Sequence, residues 1–174
     1  MPDNVYLGNP NLKKANTAIE FTQEQILEFV KCKEDPVYFA NNYIKIVSLD
    51  EGLTQFHPYH FQEKLINNFH GNRFNICKMP RQTGKSTTVV SYLLHYAVFN
   101  DSVNIGILAN KAATARELLG RLQTAYENLP KWMQQGIIAW NKGSLELENG
   151  SKILAASTSA SAVRGMSFNI LFLD

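Results

Sequence analysis

The chain has 174 residues, enough for one domain with a buried core. Its hydrophobic fraction of 45% and charged fraction of 18% are typical of a soluble globular protein, and a formal charge of +2 is too small to indicate nucleic-acid binding by itself. The sequence shows no signal peptide, membrane-length apolar run, repeat or disulfide framework, which predicts a cytoplasmic location and reduced thiols at Cys32 and Cys77.

The N-terminal part predicts an arm and then two helices. Residues 1–20 are polar and rich in Asn, Gly and Pro, so we expect an extended, solvated arm, although Lys13 and Lys14 could instead contact a polyanion. The pair Thr22 and Gln25 has the spacing of a capping box at the start of a helix.

Two further elements complete the predicted N-terminal lead-in. Asp35-Pro36 predicts the N-cap and first residue of a second short helix. Residues 44–48 alternate weakly and predict a short strand, which a turn at residues 50–52 follows.

One stretch, beginning at Arg73, organises the rest of the chain. Up to Met79 it is apolar and suited to a buried strand; residues 80–84 then predict a loop, and apolar residues recur at helical spacing from Lys85 onward. The loop ends in the Gly-Lys-Ser of a phosphate-binding P-loop, although Met79 stands where the full pattern has its first Gly. An ordinary helix start is the alternative, but the order strand, loop and unbroken helix favours the P-loop.

The residue types in this loop fit the chemistry of nucleotide phosphates. The N–H groups and positive dipole end of a helix N-terminus attract phosphate oxygens, and Gly84 allows the backbone to approach them. Lys85 supplies a mobile positive charge, and Ser86 supplies a hydroxyl for Mg²⁺. The predicted nucleotide-binding residues of the loop are Gln82, Thr83, Gly84, Lys85, Ser86 and Thr87.

A helix that opens at Pro58 precedes this stretch and carries two further candidates. Gln62 offers both a donor and an acceptor, so it could bind an adenine edge, although an ordinary exposed glutamine is the plainer interpretation. His57 and His60 could form a metal pair, but no third ligand is visible, which favours capping or surface roles.

The second half of the chain predicts an α/β fold. Residues 103–109 read as a buried strand and residues 112–129 as a long helix. Short strands are expected at residues 137–140, 145–148 and 152–156, and Asn149-Gly150 is a strong hairpin signal.

The last segment carries a candidate metal ligand. The closing segment, residues 168–174, contains a run of four apolar residues at 170–173, expected to be a strand buried on both faces, and Asp174 follows it. An apolar strand that ends in Asp after a P-loop is the Walker B pattern, in which the carboxylate holds the water shell of Mg²⁺ near Ser86.

Through these motifs, the chain resembles the large terminase subunit of myovirus-type tailed bacteriophages, the motor that packages DNA. The resemblance covers nearly the whole chain, and the Arg-Gln-x-Gly-Lys form of the P-loop accounts for the missing first Gly. The segments that carry it are residues 10–16, Met79–Ser86, Gly106–Ala109, Trp140–Ser144, Asn149–Ser151, Ala162–Gly165 and the terminal Leu-Phe-Leu-Asp.

The resemblance implies roles for particular residues. Gln62 matches the adenine-recognising glutamine, Arg81 matches a P-loop arginine that approaches the phosphates in cis, and Lys85 matches the phosphate lysine. Arg164 matches an arginine proposed in relatives to reach the neighbouring subunit's nucleotide, although a solvated Arg in a turn is the alternative. Ser86 and Asp174 are implied as the Mg²⁺ site, and ATP as the nucleotide.

The family also implies an architecture. It predicts a RecA-like P-loop NTPase of the additional-strand catalytic-glutamate class, a three-layer α/β sandwich, with a helical N-terminal extension at residues 1–56 and the ATPase domain at residues 57–174. The family's Walker B continues with a water-activating Glu, which this chain lacks after Asp174, as it lacks the nuclease domain. We therefore expect a fragment that is incomplete at its C-terminal end and hydrolyses ATP poorly by itself.

The resemblance to a DNA-packaging motor also implies the partners of this chain. They are double-stranded phage DNA, the portal protein, the small terminase subunit and further copies in a ring on the procapsid, in the host cytoplasm and without a membrane. Two alternatives stay open: a nucleotide-binding or interaction module without catalysis, and a superfamily 2 P-loop helicase.

Overall fold

The protein is described by a computed structural model, which covers residues 4–48, 50–159, 163 and 165–174. This part of the chain contains five helices and nine strands. The helices are α1 (Gln23–Glu34), α2 (Pro36–Tyr43), α3 (His60–Gly71), α4 (Lys85–Phe99) and α5 (Ala112–Glu127). The strands are β1 (Val5–Tyr6), β2 (Asn9–Lys13), β3 (Lys45–Ser48), β4 (Gly52–Gln55), β5 (Asn104–Ala109), β6 (Ile137–Trp140), β7 (Ser144–Leu147), β8 (Lys152–Ser157) and β9 (Ile170–Leu173).

The main sheet has five strands in the order β6-β7-β8-β5-β9. Strand β5 pairs in parallel with β8 on one side and with β9 on the other, whereas β7 runs antiparallel to both of its neighbours, β6 and β8. Gly150 has φ +81°, which suits the tight turn between β7 and β8 and confirms the hairpin predicted at Asn149-Gly150. The protein is therefore a mixed α/β fold, as the alternation of apolar segments predicts.

The core is built around α4, most of whose residues are buried. This helix packs against α2, α3 and α5, and α5 packs against β5 and β8. Residues of the N-terminal helices, such as Phe39 and Ala40, join the same apolar cluster as Leu93 and Leu94 of α4. The boundary between residues 56 and 57 stays a prediction.

Helices α1 and α2 have the N-cap hydrogen bonds that the sequence predicts. The Thr22 hydroxyl accepts from the Gln25 N–H at 3.2 Å, while the Gln25 side chain accepts from the Thr22 N–H at 3.1 Å. Asp35 accepts from the N–H groups of Val37 and Tyr38, both at 2.9 Å. These bonds satisfy donors that a helix start leaves unpaired.

The N-terminal arm is not the solvated segment that its composition predicts. Strands β1 and β2 form a hairpin, and Leu12 is buried. Lys13 donates to the Glu148 carboxylate at 2.7 Å and is thereby used in an ion pair within the protein. From residue 4 onward the arm is held against the rest of the protein by its backbone: buried Gln134 accepts from the Lys13 N–H and donates to the Asn11 carbonyl.

The strand predicted at residues 73–79 is wrong. The segment forms no strand; Phe74 is 82% exposed and Ile76 is fully exposed. No strand of the described chain pairs with it, so its backbone N–H and C=O groups have no sheet partners. Cys77 is consequently half-buried rather than part of a core strand, whereas Cys32 is buried, and both thiols are free.

The strand that precedes Asp174 is confirmed, but its burial on both faces is wrong. Strand β9 lies at the edge of the sheet, paired only with β5. Ile170 and Phe172 pack against the core, whereas Leu171 and Leu173 are 49% and 63% exposed. In the part of the chain that the structure describes, no helix is long and apolar enough to cross a membrane.

Candidate functional site

The loop between residues 79 and 85 folds back on itself before α4 begins. The Thr83 hydroxyl donates to the Pro80 carbonyl at 3.0 Å. Gln82 and Gly84 have φ of +62° and +74°, and the left-handed conformation at Gly84 is one that glycine adopts without steric cost. The turn therefore delivers the chain directly into the first turn of α4.

The N-terminus of α4 is open. Its N-cap residue, Gly84, provides no side-chain cap, and the first helical bond returns from the Thr88 N–H to the Gly84 carbonyl at 3.0 Å. The N–H groups ahead of Thr88 accordingly have no intrahelical acceptor, and the helix dipole adds partial positive charge there. Such an end favours an anion such as a phosphate group.

Lys85 and Asp174 meet at this end of the molecule. The Lys85 Nζ lies 3.3 Å from the Asp174 Oδ1, and the two side chains are 35% and 22% exposed. Asp174 is placed by the sheet, because its N–H donates to the Leu108 carbonyl at 2.9 Å and continues the pairing of β9 with β5. The predicted P-loop lysine and the predicted Walker B carboxylate, 89 positions apart in the sequence, are thus brought together.

The other predicted loop residues fall into two groups. Arg81 and Gln82 are exposed on the loop, and Thr83, Ser86 and Thr87 are half-buried. Arg164 lies outside the described residues, so its role stays a prediction.

Metal ligands are few in this part of the molecule. Among the described residues, no group of three or more His, Cys, Asp or Glu side chains could hold a metal ion. His60 lies 3.5 Å from Glu63 on the surface of α3, and His57 is exposed, so the structure supports surface roles for both.

Gln62 contacts the loop directly. It is only 3% exposed, and its Nε2 donates to the Thr83 carbonyl at 3.1 Å, while its Oε1 accepts from the Tyr59 N–H at 2.8 Å. The plainer interpretation of Gln62 as an exposed helical residue is wrong, because the loop packs over its amide. Sequence reasoning missed this contact, although the position of Gln62 in the third residue of α3 is a signal for an amide that reaches back to the N-cap.

An exposed aromatic pair lies beside Gln62 on α3. Tyr59 and Phe61 stack with ring centroids 5.8 Å apart, and they are 71% and 45% exposed. The sequence gives no signal for this stack beyond the two aromatic residues themselves. Exposed aromatic faces of this kind are suited to stacking on a planar group.

A groove of about 490 Å³ runs beside the site, between residues 72–77, α4 and β9. Lys85 lines one part of it, together with Val89 and Leu93 of α4 and Phe172 of β9. Ser86 and the loop residues 80–84 do not line it. The groove is therefore a neighbour of the open N-terminus of α4, rather than that end itself.

Two comparisons with known proteins bear on this site. The family model for the N-terminal part of the T4likevirus-type terminase large subunit matches residues 76–174, which include both Lys85 and Asp174. The fold is similar to the crystal structure of the HK97 bacteriophage large terminase, with a TM-score of 0.66 and 19% sequence identity over 82% of this chain. This chain covers 30% of that terminase.

Proposed function

The chain belongs to the family of T4likevirus-type terminase large subunits, and from that membership we propose that its P-loop binds ATP for the DNA-packaging motor. One observation carries the proposal: the Lys85 Nζ lies 3.3 Å from the Asp174 Oδ1 at the open N-terminus of α4. A cation and a carboxylate at an uncapped helix start provide what a nucleotide triphosphate with its metal needs.

The proposed phosphate site consists of backbone and side-chain groups. N–H groups of the first turn of α4 hold phosphate oxygens, Lys85 neutralises the β- and γ-phosphates, and Arg81 on the exposed loop adds charge from the same chain. Gln82, Thr83, Gly84 and Thr87 complete the cradle. Arg164 stays a proposed arginine that stabilises charge on the transferring phosphoryl group.

The oxygen ligands present fit Mg²⁺. Ser86 offers a hydroxyl in the first turn of α4 and Asp174 a carboxylate at the end of β9, and Mg²⁺ takes one or two protein oxygens and fills its shell with water and phosphate. When bound, Mg²⁺ neutralises charge on the phosphates. Lys85 lies against Asp174 in this structure, and we expect Lys85 to turn from the carboxylate to the phosphates when ATP and Mg²⁺ bind.

The proposed fold is RecA-like, of the additional-strand catalytic-glutamate class. Support comes from the parallel strands β8-β5-β9 packed against helices and from the similarity to the HK97 terminase.

The substrate and partners of the motor are further proposals. We propose double-stranded DNA as the translocated substrate, with the portal protein, the small terminase subunit and a ring of further copies as partners on the procapsid in the host cytoplasm. Nuclease activity is assigned to a separate domain of the parent protein. Family membership favours this proposal over a superfamily 2 helicase.

The test is Lys85→Ala, with Lys78→Ala as a matched control on an exposed lysine of the segment 74–79. We expect isothermal titration calorimetry to show Mg-ATP binding to the chain with Lys78→Ala and at least a hundredfold weaker binding with Lys85→Ala. In the full-length terminase, Lys85→Ala should abolish ATP hydrolysis. Retained turnover in that variant would refute the assignment.

A further inference from the structure

Helix α1 carries an apolar stripe on its outer face. Ile26, Leu27 and Val30 are 51%, 67% and 46% exposed, whereas Cys32 is the buried residue of the helix. Residues three and four positions apart are neighbours on a helix surface, so these three side chains lie side by side. An exposed apolar stripe of this kind on a soluble protein marks a surface that docks against another one.

Two exposed charges of opposite sign border this stripe. Glu24 lies in the first turn of α1 and Lys31 in the last turn. They are seven residues apart, or nearly two full turns, so they lie on the same flank of the helix, about 10 Å from each other along its axis. Within the described chain neither takes part in an ion pair.

The position of Lys31 is fixed in advance. Its Nζ lies 3.7 Å from the centroid of the Tyr38 ring of α2, yet the residue stays exposed. A cation held over an aromatic face in this way loses little side-chain freedom when it also meets a carboxylate.

The order of the charges selects the partner. A helix that covers the stripe must itself be apolar and must present a cation level with Glu24 and a carboxylate level with Lys31. Helix α1 meets both requirements when it runs in the opposite direction. We propose that α1 docks antiparallel against α1 of a second copy of this chain, about a two-fold axis near Leu27.

The two-fold axis doubles each contact. Glu24 of either copy lies level with Lys31 of the other on the same flank, so two equivalent ion pairs enclose the joined stripes. The opposed helix dipoles add to the preference for this direction. A parallel pair would instead bring like charges to the same level. The contact closes at two copies and does not depend on the nucleotide site.

The first test removes the centre of the stripe. Leu27→Gln keeps a good helix former at an exposed position, so the chain still folds. Leu53→Gln, at a leucine of β4 that is 50% exposed, is the matched control. Sedimentation equilibrium over a wide range of protein concentration should show a weak dimer for the wild type and for Leu53→Gln, and at least tenfold weaker association for Leu27→Gln.

The second test reverses the charges. Glu24→Lys and Lys31→Glu each place like charges level at both symmetric contacts, so either change alone should weaken the dimer by about tenfold. The double variant with both changes restores two opposite pairs and should recover most of the wild-type association. Circular dichroism of each variant establishes that the helical content is unchanged.

Three outcomes would overturn the proposal. A wild type that stays monomeric at every concentration would leave the stripe to a different protein. Undiminished association of Leu27→Gln would place the contact on another surface. Failure of the double charge reversal to recover what the single reversals lose would exclude the antiparallel arrangement.

Discussion

Two segments of this chain have the same sequence pattern and opposite structures. Residues 74–79 and β5 are both short apolar runs that lead into a loop and then a long helix. Strand β5 is paired on both sides, by β8 and β9, and Ile107 at its centre is fully buried. The segment 74–79 pairs with no strand of the described chain, and Ile76 is fully exposed.

The difference shows that a strand depends on its neighbours. A run of apolar residues favours extended backbone, but its N–H and C=O groups become a strand only where another backbone completes the ladder. The helix that follows each segment is nevertheless well packed in both cases, because α4 is held by α2, α3 and α5 rather than by the strand before it. The loop at residues 80–84 is therefore positioned by the packing of α4, which follows it, and by the hydrogen bond from Gln62 to Thr83.

The largest expected effect contrasts two isoleucines. Ile107→Ala should lower the free energy of unfolding by about 2–5 kcal/mol, because it removes buried methyl groups and leaves a cavity. Ile76→Ala, at a fully exposed site, should change it by no more than about 0.5 kcal/mol. Urea titrations followed by circular dichroism measure both values.

The two isoleucine variants also test whether the segment 74–79 is exposed in solution and whether β5 is central in the sheet. A loss for Ile76→Ala as large as that for Ile107→Ala would mean that the segment 74–79 is buried against another chain in solution. Sedimentation analysis of the same samples would then show an assembly. A small loss for Ile107→Ala would contradict the assignment of β5 as the centre of the sheet.

A second prediction concerns how α4 is held from its helical side. His95 of α4 is 1% exposed, and its Nε2 donates to the Cys32 carbonyl of α1 at 2.8 Å, with Phe39 and Phe99 against the ring. Burial lowers the pKa of His95 from 6.5 to about 4, while the Cys32 carbonyl bond opposes that shift. The ring is therefore neutral in the folded protein, and the unfolded chain binds a proton first as the pH falls.

The lower pKa of His95 in the folded state sets the sign and the size of the change in stability with pH. Above pH 6.5 both states carry a neutral ring, and between pH 6.5 and 4 the unfolded state gains stability, so the free energy of unfolding falls by up to about 3 kcal/mol. His95→Gln should remove this part of the pH dependence, although it lowers stability at neutral pH. Urea titrations of both proteins at several pH values measure the change, and parallel pH profiles would contradict the prediction.

Much of the fold could be predicted from local signals. The caps at Thr22 and Asp35, the helix α5 and the hairpin at Asn149-Gly150 depend on nearby residues, and the structure confirms each of them. The docked arm could not be predicted, because its order depends on Gln134, which is more than a hundred residues away. Composition alone does not reveal such a partner.

In the candidate site, too, some contacts could be predicted from the sequence and others depend on tertiary packing. The meeting of Lys85 with Asp174 could be expected, because a P-loop helix starts, and a Walker B strand ends, at the same edge of a sheet. The contact of Gln62 with Thr83 could not, because it depends on where α3 packs relative to the loop. The one-sided pairing of β9 also depends on tertiary structure, since an apolar run does not reveal whether it lies at an edge or in the centre.

The smallest effect is expected where β9 is attached to β5. The Asn104 N–H donates to the Asn169 Oδ1 at 2.8 Å, and the Asn169 N–H returns a bond to the Asn104 carbonyl at 2.8 Å. Asn169→Ala removes the first bond and should cost about 1 kcal/mol of unfolding free energy, whereas Asn75→Ala in the exposed segment should cost less than half of that.

Because β9 has a partner on one side only, the loss at Asn169 should also be felt at the other end of the strand, where Asp174 meets Lys85. Amide hydrogen exchange of the Asp174 N–H, which donates to the Leu108 carbonyl, should therefore quicken in Asn169→Ala and stay unchanged in Asn75→Ala. Equal exchange in the two variants would mean that the end of β9 is held independently of its start. The Lys85–Asp174 pair, rather than the strand ladder, would then be what fixes the Asp174 carboxylate beside the N-terminus of α4.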